Sequence, residues 1–299
     1  MRKTSLFFTM AILISLSTQI PLGAQEYGLV LSGGGGKGAY EVGVWKALNE
    51  YGVAQRITEI SGTSVGGLNA ALFACYTPQE AEDIWRNIVP KTLTTTTGKL
   101  RETLISQPGL KQIIIKVPLT KLQENRWPHV TVTALPKRNA LAKLLSSAKP
   151  CENATRFVLN GEPDLSEIQN RLLATSAFPF VTNPIKLKDG IKYTDGGEES
   201  AGGDNTPIDP VVANANVHTI FIVYLSDLSR LTRRIRQIDY SSVKLIEIIP
   251  SIDLGSMLEG TVNFTSERIG MLIDKGYEDA VNVLKEKGYT PINSYWFDK

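Results

Sequence analysis

A glycine-rich turn that leaves a short apolar strand and enters a helix constrains this chain more than any other feature, and it occurs twice in close succession. Leu29-Val30-Leu31, within an apolar run from Tyr27 to Ser32, opens into Ser32-Gly33-Gly34-Gly35-Gly36-Lys37-Gly38. Ile57 to Ile60 opens into Gly62-Thr63-Ser64-Val65-Gly66-Gly67. A helical pattern follows each turn. Over Ala39 to Tyr51, the residues Tyr40, Val44, Ala47, Leu48 and Tyr51 recur at helical spacing, and Gly52 supplies a C-cap. Val65 to Tyr76 is rich in Gly and Ala, which lets a helix pack close to a sheet. Strand, helix, strand, helix in that order predicts a parallel α/β sheet.

The second turn contains Gly-x-Ser-x-Gly. After a strand and before a helix, this sequence forms an elbow that exposes a nucleophilic serine. Ser64 is therefore the candidate nucleophile, and Gly62 and Gly66 remove side chains where strand and helix approach. The plainer reading is a glycine-rich turn with an incidental serine, and the flanking pattern favours the elbow.

The first turn admits three readings. A phosphate loop requires a hydroxyl residue after its lysine, but Lys37 is followed by Gly38. A dinucleotide loop is matched by Gly33-x-Gly35-x-x-Gly38, a weak signal alone; its ribose-binding acid would be Glu59, where the elbow occupies the space. An oxyanion hole is the third. Successive glycines let the N–H groups of Gly34, Gly35 and Gly36 converge, and the helix adds its positive N-terminal end. The nearby elbow favours this third reading.

A third motif, Tyr193-Thr194-Asp195-Gly196-Gly197, places Asp195 between a strand and a tight turn. Such a turn is often only a turn. A serine nucleophile nonetheless needs a base, commonly histidine. The chain has two histidines: His129 at a strand start and His218 just before an apolar strand. Both read as structural, and Asp195, after a strand and before two glycines, is better placed as a base.

Taken together, the three motifs resemble those of the patatin-like phospholipase family. Its Gly-Gly-Gly-x-[Lys/Arg]-Gly loop, Gly-x-Ser-x-Gly elbow and Asp-Gly-[Gly/Ala] motif are all present in the family's order. Similarity extends to Ala174-Thr175-Ser176-Ala177-Phe178-Pro179, to Asn205-Thr206-Pro207-Ile208-Asp209-Pro210 and to Asp253-Leu254-Gly255-Ser256-Met257-Leu258-Glu259-Gly260. The resemblance implies a three-layer α/β/α fold around a mainly parallel sheet. It implies a Ser64–Asp195 dyad without histidine, an oxyanion hole around Gly34, Gly35 and Gly36, and fatty-acyl esters of lipids as substrates, cleaved through an acyl-enzyme. No metal or cofactor is implied. The segment Glu198 to Asp204 is longer than the family pattern leads one to expect. It sets acidic residues beside the site, where they bear on substrate access. A catalytically weak lipid-binding or effector protein is the alternative on the same fold; the intact Ser64 and Asp195 favour the enzyme.

Composition narrows the class further. The 299 residues are 42% hydrophobic and 21% charged, with a net charge of only +2, which argues against a general nucleic-acid binder. Arg230, Arg233, Arg234 and Arg236 form a local basic cluster. The plainer reading is a solvated face; the sharper one is peripheral contact with anionic headgroups at a membrane surface. Two histidines and no Cys-x-x-Cys exclude familiar zinc patterns. Cys75, in a small-residue helix, is expected as a buried free thiol, and its pairing with Cys151 is left open.

The N-terminus reads as an export signal: Arg2 and Lys3, an apolar stretch from Leu6 to Leu16, and Leu22-Gly23-Ala24 as a cleavage site. Residues 1–24 are thus set aside as a leader, and 25–299 read as one acyl hydrolase domain delivered to the periplasm, outer surface or medium. Further strands are predicted over Val130 to Leu135, Ile191 to Thr194 and Thr219 to Leu225, and a helix over Glu167 to Ser176. Gln112 to Val117 is apolar without an assigned element, Thr94 to Thr97 reads as a loop, and Arg138 to Ser147 as helix or lid. An amphipathic helix is expected from Ser266 to Lys287, with Gly276 as a candidate break.

Overall fold

The computed structural model describes residues 26–93, 107–126, 128–137, 151–178, 182–226 and 240–292. Residues 1–24, read from the sequence as a leader, lie outside the described residues, as do the threonine run at 94–97, the 138–147 segment and the arginine cluster.

The sheet has eight strands: β1 Glu26–Leu31, β2 Ile57–Thr63, β3 His129–Pro136, β4 Thr155–Val158, β5 Ile185–Lys186, β6 Lys192–Asp195, β7 Val217–Val223 and β8 Lys244–Ile248. Their order is β5-β6-β3-β2-β1-β7-β8. From β3 to β8 every neighbour is parallel. The other edge of β3 is shared end to end by two antiparallel partners. β4 pairs with Thr131 to Ala134, and β6 then pairs with Ala134 to Pro136.

Helices α1 Ala39–Glu50, α2 Val65–Cys75, α3 Pro78–Asp83, α4 Val89–Leu93, α5 Gln107–Lys116, α6 Thr120–Gln123, α7 Leu165–Thr175, α8 Asp209–Val212 and α9 Ser266–Glu286 surround it. A π-helical turn, Ile84–Ile88, joins α3 to α4. Both faces of the sheet are apolar, as parallel sheets require. Leu29 and Leu31 join the larger core with α1, α2 and α9, while Val30 packs with Ile220, Ile222 and Val211 on the opposite face. Among the described residues the layers are unequal: one face carries the long helices, and the other carries the short α8 and neighbouring segments.

Among the described residues the expected strands and helices form, some with longer and some with shorter ends. β2 runs on to Thr63, so the strand delivers its last residue directly to Ser64. α1 ends at Glu50, and Gly52 takes φ +69° just beyond it, where the left-handed region suits glycine. Gln112 to Val117 lies largely in α5, and β4, β5 and β8 add to the strands read from the sequence.

Gly276 does not break the last helix. α9 is continuous through it and crosses α1 at that point. A Cβ at Gly276 would stand 2.0 Å from the Tyr40 carbonyl oxygen, and one at Gly43 would stand 1.9 Å from that of Ile273. The two glycines let the backbones touch, and the packing gained outweighs the weak helix propensity of Gly276. Beside the crossing, the Tyr40 hydroxyl donates to Asp279 at 3.0 Å, joining α1 to α9.

Candidate active site

The three motifs meet at the C-terminal ends of the parallel strands, where open α/β sheets hold their ligands. Ser64 stands between β2 and α2 with φ 56° and ψ −126°, a strained backbone for a residue with a Cβ. The turn is too tight for side chains on either flank. A Cβ at Gly62 would lie 2.3 Å from Gly66, and one at Gly66 would lie 2.4 Å from the Leu31 carbonyl oxygen. Hydrogen bonds hold the serine at both ends: its amide donates to the Thr175 hydroxyl at 3.0 Å, and its carbonyl accepts from the Gly67 amide at 3.0 Å and the Leu68 amide at 3.2 Å.

Asp195 arrives from the antiparallel edge. It ends β6 opposite Ala134, one residue past the level at which Thr133 faces Thr63. This register brings the carboxylate beside Ser64. Asp195 is buried, and its Oδ1 accepts from the Gly197 amide at 2.8 Å. Oδ2 is buried without a hydrogen-bond partner. Burial pushes the carboxyl up from 3.8 to about 6; the Ser64 hydroxyl and the Gly197 amide pull it down, and the Glu198 charge pushes it up.

The glycine loop forms a single 3₁₀ turn, Gly35–Gly38, that runs straight into α1. Among the described residues, no backbone acceptor takes the amides of Gly34, Gly35 or Gly36. Gly34 and Gly35 line the same cavity as Ser64 and Asp195, together with Gly33. Gly36 instead packs against the carbonyls of Asn263 and Gly260, and the Lys37 side chain lies over Gly260. Gly38 offers its carbonyl to Asn69 of α2 at 2.9 Å. Gly260 to Asn263, at the end of the Asp253–Gly260 motif, thus back the glycine loop. Gly35 itself has φ +58°, and a Cβ there would stand 2.2 Å from the Thr261 carbonyl oxygen.

The motif Asn205-Thr206-Pro207 also has a physical role, one that its sequence did not disclose. Gly33 donates its amide to the Asn205 carbonyl at 3.1 Å, and Ser32 and Thr206 share a hydroxyl hydrogen bond of 2.9 Å. Thr63 donates to the Asp204 carbonyl at 2.6 Å, and Ser61 donates to that of Pro207. Residues 204–207 therefore clasp the ends of β1 and β2, fixing the glycine loop against the elbow. Gly196 lies against the Thr133 carbonyl, and Gly197 against the Asn205 side chain.

A cavity of about 620 Å³ opens over these groups, within the ~300–1,000 Å³ of small-molecule sites. Its walls are mostly apolar, with Leu68 and Leu72 from α2, Trp85 from the π turn, Leu110 and Ile114 from α5, and Leu172 from α7. Trp85 donates its indole N–H to Asn69, which in turn donates to Glu41 at 2.8 Å. Burial raises the Glu41 carboxyl well above its ordinary range. Glu41, Asn69 and Trp85 went unmarked in the sequence, because nothing in their spacing announces a buried polar chain.

Both histidines lie elsewhere. His129 starts β3 beside Glu59, 3.2 Å from its carboxylate, and His218 sits near the start of β7 with Nδ1 2.7 Å from the Asn216 carbonyl. These are the N-terminal ends of parallel strands, at the opposite edge from Ser64. Cys75 is a buried thiol and is not bonded to Cys151.

A strained strand-to-helix serine, a buried carboxylate and open amides above an apolar cavity are the parts that α/β hydrolases use on esters. The chain belongs to the patatin-like phospholipase family, whose model matches residues 29–212. It is 52% identical over 50 residues to lysophospholipase nte1 of Aspergillus terreus (strain NIH 2624 / FGSC A1156). That match spans 17% of this chain and only 3% of the fungal protein. Among solved structures, VipD from Legionella pneumophila has 13% identity and a TM-score of 0.48, over 88% of this chain and 67% of that one. Human GIVD cytosolic phospholipase A2 has 9% identity and a TM-score of 0.44, over 87% and 63%.

Proposed function

We propose that this protein is an exported acyl hydrolase of the phospholipase A or lysophospholipase type, cleaving fatty-acyl esters of lipids through a Ser64–Asp195 dyad. The observation that carries this reading is the buried Asp195 carboxylate, on which the Ser64 hydroxyl acts, at the edge of an apolar cavity. A carboxylate raised to about 6 still ionises at neutral pH and is a better base than an ordinary aspartate.

Ser64 Oγ attacks the ester carbonyl carbon while its proton passes to Asp195. The amides of Gly34 and Gly35 receive the oxyanion, and the positive end of α1 lies behind them. The tetrahedral intermediate expels the alcohol or lyso-lipid, which takes the proton from Asp195. Water then attacks the acyl-enzyme, giving its proton to Asp195, and the free fatty acid leaves as the proton returns to Ser64. The apolar walls hold the acyl chain, each buried methylene contributing about 0.8 kcal/mol.

The leader at residues 1–24 supports export, residues 25–299 act as one hydrolase domain, and the arginine cluster supports peripheral contact with a lipid surface. Initial rates on a soluble 4-nitrophenyl ester test the chemistry. Ser64→Ala and Asp195→Asn should each lose on the order of a thousandfold or more. A folded variant of either kind that retains the parent rate overturns the reading.

A further inference from the structure

The segment Glu198 to Asp204, the departure from the family pattern, is a built loop. Glu199–Ala201 forms a 3₁₀ turn, and the amides of Ala201 and Gly203 both donate to the Glu198 carbonyl at 3.0 Å. Asp204 donates its amide back to the Gly196 carbonyl at 2.8 Å, folding the loop onto the Asp195 turn. From outside, the Cys151 and Asn153 amides donate to the Gly203 and Gly202 carbonyls, and Arg156 pairs with buried Asp204 at 3.0 Å. These bonds fix the position of Glu198, which lines the cavity next to Asp195 and Gly197.

Among the described residues that line that cavity, Asp195 and Glu198 are acidic and none is Lys, Arg or His. The Glu198 charge is felt inside the site, since it raises the Asp195 carboxyl. A substrate's acyl chain occupies the apolar walls, so the alcohol portion of the ester must sit on the polar side with Glu198.

We propose that Glu198 is a selectivity residue: it disfavours esters whose alcohol portion is anionic near the ester bond and favours those in which it is neutral or cationic. This rests on the acyl-hydrolase reading above. The repulsion arises where the low-dielectric walls exclude water and screening is weak. A phosphate or carboxylate group held near Glu198 meets that repulsion in both the bound and transition states. A quaternary ammonium in the same place meets attraction.

Three octanoyl phenyl esters test it on the full chain: 4-nitrophenyl octanoate, 4-octanoyloxybenzoate and 4-octanoyloxyphenyl-trimethylammonium. They share the acyl group and differ in the charge of the leaving phenol. kcat/KM is measured for the parent, for Glu198→Gln and for Glu199→Gln, which alters an exposed neighbour outside the cavity. Glu198→Gln should raise the benzoate-to-nitrophenyl ratio roughly fivefold and lower the trimethylammonium-to-nitrophenyl ratio by a similar factor. Glu199→Gln should move neither ratio by as much as twofold. Equal changes on all three esters, or equal shifts in the two variants, overturn the selectivity role while leaving the hydrolase reading intact. A parent protein inert on all three overturns that reading, and the selectivity with it.

Discussion

The amide of Ser64 and the hydroxyl of Thr175 are joined by a 3.0 Å hydrogen bond across a sequence separation of 111 residues. Thr175 in turn donates to the Thr133 carbonyl at 2.5 Å, so β3 and α7 together hold the strained peptide of the elbow. Thr175→Val keeps the shape but strands a buried donor and a buried acceptor. It should cost about 1–3 kcal/mol of stability and lower kcat more than KM, whereas Thr175→Ser should recover most of both. Denaturant unfolding and steady-state kinetics on one ester measure the two effects. A valine variant with parental stability and kcat would show that the elbow holds itself.

The rate should follow the ionisation of Asp195. In the proposed dyad the carboxylate is the active form, and burial raises its pKa to about 6. Activity should therefore rise with pH and level off above that value. At pH 5, kcat/KM should be roughly tenfold below the plateau. A flat profile down to pH 4.5 would mean that an ordinary, solvated carboxylate or another group is the base.

The same shift has a consequence for stability. Because the folded-state pKa, about 6, lies above the ordinary 3.8, protonation favours the folded state. That contribution is complete below pH 3.8 and is lost as pH rises through 6. Asp195→Asn removes the titration while its side-chain oxygen can still accept from Gly197. The variant should gain on the parent as pH rises, by roughly 3 kcal/mol at most above pH 7. Unfolding free energies of both proteins at pH 4 and pH 7.5 check this. An advantage that does not grow between those values contradicts the burial of a charged Asp195.

Much of the site was legible because tight turns leave marks in sequence. Gly62 and Gly66 are required by backbone contacts under 2.5 Å, and such a requirement shows as glycine at fixed spacing. Strand β1 and helix α1 were equally plain, since each repeats its apolar positions over several residues. β5, with two residues, carries no period to read, and β4 is a short, half-buried segment with little alternation. Gly276 pointed the wrong way, because its helix propensity is local while the reason for it, the Tyr40 carbonyl of α1, is distant. Thr175 and Asn205 were visible as parts of motifs, but their hydrogen bonds to Ser64 and Gly33 exist only once distant segments meet. The raised pKa of Asp195 is likewise a property of its surroundings.

The central claim is that Ser64 is the nucleophile. Treating the full chain with a fluorophosphonate probe and mapping the adduct by peptide mass spectrometry tests it directly. A single adduct on Ser64, absent from Ser64→Ala and strongly slowed in Asp195→Asn, is the predicted result. An adduct on another residue, or labelling that persists in Ser64→Ala, would contradict it.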